Sequence, residues 1–169
     1  MKKITLLLAL FTIGFTYAQS PLEKGSLQAN AGFGFSGWGI PIYAGLEVGV
    51  ATNITVGGEI SYQKYNHGSG LGSDFNSSIF GIQANGNYHF NEVLEISSQW
   101  DVYAGANLNY FSWNTKLDGE TFDYGGSDNF GLGLQIGGRY FFDDNFAINL
   151  QVGGGNVVSG GRIGITYKL

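Results

Sequence analysis

The sequence predicts an all-β protein, an eight-stranded antiparallel up-and-down barrel that crosses a membrane. Three observations lead there. Apolar and polar residues alternate with period two over stretches of about ten, which gives strands with two chemically different faces. The chain is 43% hydrophobic but only 12% charged, about half the charged share of an ordinary soluble domain. The charges within the strands also keep to one face.

The first residues are not part of that pattern. Lys2 and Lys3 precede an apolar run from Ile4 to Phe15, and Thr16-Tyr17-Ala18 places small residues where a signal peptidase reads them. The run is too short for the roughly 20 residues of a membrane-spanning helix. Residues 1–18 are therefore expected to be a cleaved signal peptide and residues 19–169 the barrel domain. Losing the two lysines takes the formal charge from −5 to −7. A chain this acidic is a poor partner for nucleic acid, which rewards basic patches. Cysteine is absent, so disulfides, thiolate metal sites and a catalytic thiol are excluded. The 29 glycines follow no three-residue period and the aromatic share is 15%, which excludes both collagen and a disordered linker.

After a short tether (Gln19 to Gly25), each strand follows from its alternation. The first sets Leu27, Ala29, Ala31, Phe33 and Phe35 against Gln28, Asn30, Gly32 and Gly34. The second sets Ile42, Ala44, Leu46, Val48 and Val50 against Tyr43, Gly45, Glu47 and Gly49. After a tight turn at Thr52-Asn53, the third carries Ile54, Val56, Ile60 and Tyr62 opposite Thr55, Gly57, Glu59, Ser61 and Gln63. A Gly/Ser-rich loop over about Lys64 to Asn76 leads to the fourth, with Phe80, Ile82, Ala84, Tyr88 and Phe90 opposite Gln83, Asn85, Asn87 and His89.

A shorter connection (Asn91 to Ser97) precedes the fifth strand, where Trp100, Val102, Ala104, Ala106, Leu108 and Tyr110 oppose Asp101, Tyr103, Gly105, Asn107 and Asn109. The longest loop is expected at Trp113 to Asp128. The sixth strand runs from Asn129 to Phe142 with Gln135 and Arg139 on its polar face. The seventh follows the Asp143-Asp144-Asn145 turn, with Phe146, Ile148, Leu150 and Val152 opposite Ala147, Asn149 and Gln151. The eighth sets Ile163, Ile165, Tyr167 and Leu169 against Arg162, Gly164, Thr166 and Lys168. Tight turns alternate with longer loops, the asymmetry expected between the periplasmic and outer ends of a membrane barrel.

The polar face distinguishes a membrane barrel from a soluble sandwich. A sandwich shows water a face rich in Lys and Glu. Here that face is mostly Gly, Asn, Gln, Ser and Thr. Its six charges are Glu47, Glu59, Asp101, Arg139, Arg162 and Lys168, three of each sign. Unpaired charge in a narrow interior costs several kcal/mol per ion, so a balanced set suits a plugged lumen. On the apolar face, aromatics gather near both strand ends, as at two membrane interfaces.

With these features the chain resembles the OmpA/OmpX-like small outer-membrane barrels, the outer membrane protein beta-barrel domain of Gram-negative bacteria. The resemblance rests on the strand pattern, on Asp101-Val102-Tyr103-Ala104-Gly105-Ala106-Asn107-Leu108-Asn109-Tyr110, and on the terminal Gly164-Ile165-Thr166-Tyr167-Lys168-Leu169. It implies residence in the bacterial outer membrane, contact with lipid and lipopolysaccharide, and insertion by the barrel-assembly machinery. In the family, the terminal strand usually closes on an aromatic residue, where this chain has Leu169.

Other motifs carry less. Gly32-Phe33-Gly34-Phe35-Ser36-Gly37 matches GxGxxG, but it lies along a strand with no helix behind it, so a dinucleotide site is not expected. His67, Ser69 and Asp74 occupy a loop with nothing to orient a base, and His89 lies on the polar face near a tight turn. Catalysis needs a held nucleophile–base pair, so no catalytic residue and no cofactor are assigned. Asp118, Glu120, Asp123 and Asp128 form an acidic loop, a weak candidate for a divalent cation. The expected function is that of a non-enzymatic, monomeric outer-membrane barrel serving envelope integrity or surface interaction through its loops. A narrow ion or small-solute channel is the alternative, and a lipid A-modifying barrel enzyme the third reading.

Overall fold

In the computed structural model, the described residues are 22–68, 74–117, 120–121 and 129–169, without the side chains of 65–68, 74–76, 115–117 and 120–121. They form strands β1 (Leu27–Ser36), β2 (Ile42–Ala51), β3 (Ile54–Gly68), β4 (Asp74–His89), β5 (Trp100–Leu117), β6 (Glu120–Thr121), β7 (Asn129–Phe141), β8 (Phe146–Gly155) and β9 (Ser159–Lys168), with one helical turn, α1 (Asn91–Leu94). Each long strand pairs antiparallel with its neighbour in the chain, and β1 pairs with β9 from Gln28↔Lys168 to Ser36↔Gly160. Eight strands therefore close into a barrel. β6 is a two-residue extension paired only to the end of β5. Closure leaves no unpaired edge around the wall, as hydrocarbon requires of any sheet that spans it.

Register follows the alternation because a one-residue slip would turn every side chain to the wrong face. Along β1–β2 the partners run from Leu27↔Val48 to Phe33↔Ile42. Along β5–β7 they run from Trp100↔Tyr140 to Phe111↔Asn129. The first tight turn places Asn53 at φ 60°, a left-handed conformation that Asn tolerates well. The third is an Asx turn: Asp143 Oδ1 accepts N–H bonds from Asn145 (2.9 Å) and Phe146 (2.7 Å). These two bonds, that of Phe146 foremost, hold the exposed Asp143 carboxyl below its usual range.

Three boundaries differ from the sequence reading. β3 and β4 remain paired to Gly68↔Asp74, so most of the Gly/Ser-rich segment taken as loop is ladder. β5 runs to Leu117, and its pairing with β4 includes Ile79↔Trp113 and Phe75↔Leu117. Ser, Thr and Asn in these segments suggest turns, but a hairpin already zipped by its neighbours continues at little entropic cost. The pairs beyond Tyr62 carry β3 about 20 Å further than the apolar band. The connection after β4 contains α1, too short a helix to leave a periodicity.

The distribution of polarity is inverted relative to a soluble protein. Leu134 is 71% exposed, Phe130 63%, Leu132 61% and Leu150 57%, while Gln28, Thr55, His89, Asp101, Arg139 and Thr166 are buried. Exposed apolar surface this continuous needs an apolar solvent. Around the tight-turn end the outward aromatics touch in series. Trp100–Tyr140, Tyr140–Phe142 and Tyr88–Phe90 meet edge to face, with centroids 4.9 to 5.3 Å apart. Residues at the start of the described chain cover that end from within. Leu22 is buried, and Gly25 N–H donates to the Gly49 carbonyl at 2.8 Å.

Candidate functional site

The inward face of an eight-stranded barrel is narrow enough for side chains to fill it, and here they do so in three tiers. The tier nearest the tight turns centres on Arg139 of β7. Its Nη2 donates to Glu47 Oε2 of β2 at 2.5 Å and its Nη1 to Asp101 Oδ2 of β5 at 2.9 Å. The guanidinium also lies 4.4 Å from the centre of the Tyr103 ring, a cation–π contact. All three charged groups are at most 3% exposed, so their partners are protein atoms.

Glu47 is the most heavily bonded acceptor. Besides Arg139 it accepts from Gln28 Nε2 (2.7 Å), Asn87 Nδ2 (3.0 Å), Asn30 Nδ2 (3.3 Å) and the Thr55 hydroxyl. The Thr55 oxygen also sits 2.9 Å from His89 Nε2, and His89 Nδ1 sits 2.6 Å from Asp101 Oδ1. Thr55 has one proton, which goes to Glu47, so it accepts from His89 Nε2–H. Arg139 and His89 thus meet the carboxylates of Glu47 and Asp101 in one buried cluster.

The middle tier consists of amides and one tyrosine. Asn109 donates to Asn107 (2.6 Å), Asn107 to Gln135 (2.8 Å) and Gln135 to Asn87 (2.6 Å). The Tyr103 hydroxyl reaches Asn149 Oδ1 and Gln151 Oε1 of β8 at 2.9 and 3.1 Å. In the Arg139 tier, Thr166 of β9 donates to Asn30 at 2.6 Å. Together with the Arg139 tier, these bonds tie all eight wall strands to one another across the lumen.

Glycine makes the room for this packing. A Cβ on Gly137 would lie 2.4 Å from the Tyr103 hydroxyl, and one on Gly164 would lie 2.3 Å from the Tyr43 hydroxyl. Each tyrosine thus lies across a strand that has no side chain there. Gly137→Val is expected to displace Tyr103 from Arg139 and Asn149, at a cost of about 1–3 kcal/mol for overpacking. Equilibrium urea unfolding in detergent micelles reads that loss.

The third tier faces the long-loop end. Arg162 Nη1 bonds both oxygens of Glu59 at 2.7 Å, and its Nη2 bonds Gln83 Oε1 at 2.9 Å. Above this pair lies a cavity of about 90 Å³, bordered by Tyr43, Ser61, Gln63, Asn107, Trp38 and Phe111 among others. Trp38 meets Phe111 and Trp113 edge to face, at 5.3 and 4.9 Å. This inward aromatic group is separate from the lipid-facing belts.

Of the six charges on the polar parity, five fall into two ion-paired groups, Glu47–Arg139–Asp101 and Glu59–Arg162. Lys168 stands apart, its Nζ 4.3 Å from the centre of the Phe141 ring. Charge alone did not single out His89, Thr55 or the amides, although their parity already placed them inside. The His89–Asp101 pair with a hydroxyl at Nε2 has the outline of a catalytic relay. His89 and Thr55 are 0% exposed and Asp101 1%, so no substrate reaches the hydroxyl. The side chains of His67, Asp74 and Glu120, and residues Ser69, Asp118, Asp123 and Asp128 entirely, lie outside the described residues. Residues 1–18 also lie outside them.

A closed antiparallel barrel with an apolar outer band, two aromatic belts and a hydrogen-bonded polar interior is a transmembrane barrel of the outer-membrane type. The chain belongs to the family of the outer membrane protein beta-barrel domain, whose profile matches residues 5–165. No curated protein matches it by sequence. Solved structures share its fold. OprG of Pseudomonas aeruginosa aligns with a TM-score of 0.58 at 14% identity, covering 88% of this chain and 97% of its own. The attachment invasion locus protein Ail of Yersinia pestis gives 0.57 at 14%, covering 87% and 100%. A de novo designed transmembrane β-barrel gives 0.56 at 16%, covering 89% and 100%. A designed barrel among the neighbours shows that this fold by itself specifies no particular activity.

Proposed function

We propose that the protein is a non-enzymatic integral barrel of the bacterial outer membrane, exported through a cleaved signal peptide over residues 1–18. In this reading it serves envelope integrity or surface interaction through the segments that join β3 to β4 and β5 to β7. The observation that carries it is the filled lumen. Arg139, Glu47, Asp101 and His89 occupy the cross-section and are bonded to one another, which leaves the outer segments as the surface open to partners. Lipopolysaccharide is the neighbour those segments meet first, and the barrel-assembly machinery inserts the chain.

Replacing residues 69–73 and 118–128 with short Gly-Ser turns tests this. The shortened barrel is expected in the outer-membrane fraction, still running faster unheated than heated on gels. Cells carrying it are expected to lose the resistance to large antibiotics, or the surface adherence, that distinguishes the parent from a deletion strain. Full retention of both by the shortened barrel contradicts the proposal.

The cavity above Glu59–Arg162 favours a second reading, a narrow channel for ions or small solutes with this cavity as its vestibule. Passage then requires Arg139 to leave both carboxylates, and unitary conductance steps are its signature.

A further inference from the structure

We propose that the cavity at the long-loop end is a binding site for a small neutral polyol, such as a short sugar alcohol or the hydroxylated end of a sugar. Three features lead to this chemistry. The first is an unmet hydrogen-bonding demand. Gln63 and Gln83 border the cavity and are each 6% exposed. Gln63 Oε1 and Gln83 Nε2 are buried with no hydrogen-bond partner. A buried polar atom left unpaired costs about 1–3 kcal/mol. The terminal torsion of a Gln amide is broad, so Gln63 can turn its free Oε1 to a ligand at small cost, while Gln83, its Oε1 held by Arg162, presents Nε2 beside the cavity. One free atom is an acceptor and the other a donor, and a hydroxyl group is both.

The second feature is charge. Glu59 and Arg162, the charged residues bordering the cavity, are already bonded to each other. A ligand with net charge would have to break that pair or leave it unbalanced. A neutral ligand leaves it whole, and the Arg162 side chain, 26% exposed, remains within reach as a donor. The third feature is shape. Trp38, Tyr43 and Phe111 give the cavity aromatic walls, on which the C–H faces of a polyol can lie, while Asn107 and Asn109 add amides. A volume of about 90 Å³, about three times one water's share of the liquid, matches a short polyol and not an oligosaccharide.

The test is a titration of ¹⁵N-labelled protein, folded in detergent micelles, with erythritol, following the side-chain amide resonances of Gln63 and Gln83. Thermal stability is a poor readout, because polyols stabilise folded proteins by exclusion from their surfaces. Saturable shifts of both amides in roughly the millimolar range are expected, weakened at least about tenfold in Gln63→Met and Gln83→Met. These variants keep the volume and remove the free acceptor or donor. If Gln83→Met does not fold, as judged by unheated gel migration, Gln63→Met alone decides. Shifts that rise linearly without saturating, or that persist unchanged in Gln63→Met, overturn the proposal. Equally tight binding of sodium lactate overturns its assignment to neutral ligands.

Discussion

Arg139→Ala is expected to lower the stability of the folded barrel by about 3–5 kcal/mol, the penalty for stripping one member from a buried ionic cluster. The loss is large because of what stays behind. Glu47 and Asp101 would remain buried without the guanidinium that pairs them, in a lumen where relaxation is limited. Tyr103 would also lose the cation on its ring face. Removing the charges together is expected to cost less. A triple variant, Arg139→Met/Glu47→Gln/Asp101→Asn, keeps volume and many of the hydrogen bonds while leaving no unpaired ion. Urea unfolding in detergent micelles, followed by tryptophan fluorescence, compares the two. A single variant as stable as the parent would mean that Arg139 is not the hub of the interior.

The second large effect lies on the opposite face. Leu134 is 71% exposed and Phe130 63%, and both are on β7. Leu134 lies near the middle of the strand and Phe130 near its long-loop end. Leu134→Arg is expected to destabilise the protein in a bilayer by about 2–4 kcal/mol, and Phe130→Arg by about 0–1 kcal/mol, because the cost of a basic residue depends on depth. In a water-soluble protein both changes at such exposed positions would be within about 0.5 kcal/mol of neutral. Reversible unfolding from phospholipid vesicles reads the difference. Equal costs at the two positions would place the strand wrongly in the membrane.

Most of the wall was legible in the sequence, because period-two alternation reports directly which face of a strand meets which medium. Leu46, Leu134 and Ile165 face out, and Glu47, Gln135 and Thr166 face in. Strand ends were less legible. Asn66, Ser77 and Asn114 suggest loop by composition, yet the ladders of β3, β4 and β5 run through them. Hydrogen bonds to an existing strand decide that, and composition does not record it.

The interior was legible as a face but not as a set of partners. Parity put Glu47, Asp101 and Arg139 inside, whereas their meeting depends on the stagger of strands 38 and 92 residues apart in the chain. His89 was on the same face and became part of the cluster because β4 and β5 pair at His89↔Tyr103. Lys168 shares the inward parity but lies at the end of β9, over Phe141 and away from the ion pairs. The inward group of Trp38, Phe111 and Trp113 left no periodic trace, since Trp38 sits in a turn and the other two lie beyond the apolar band.

The central claim is that these side chains close the barrel's lumen, and electrical recording from a planar bilayer addresses it most directly. Purified, refolded protein is expected to insert without steady unitary current under a holding potential. Steady single-channel steps from the parent protein that vanish in Arg139→Ala/Arg162→Ala would contradict it, because the tiers around Arg139 and Arg162 would then be a conducting path.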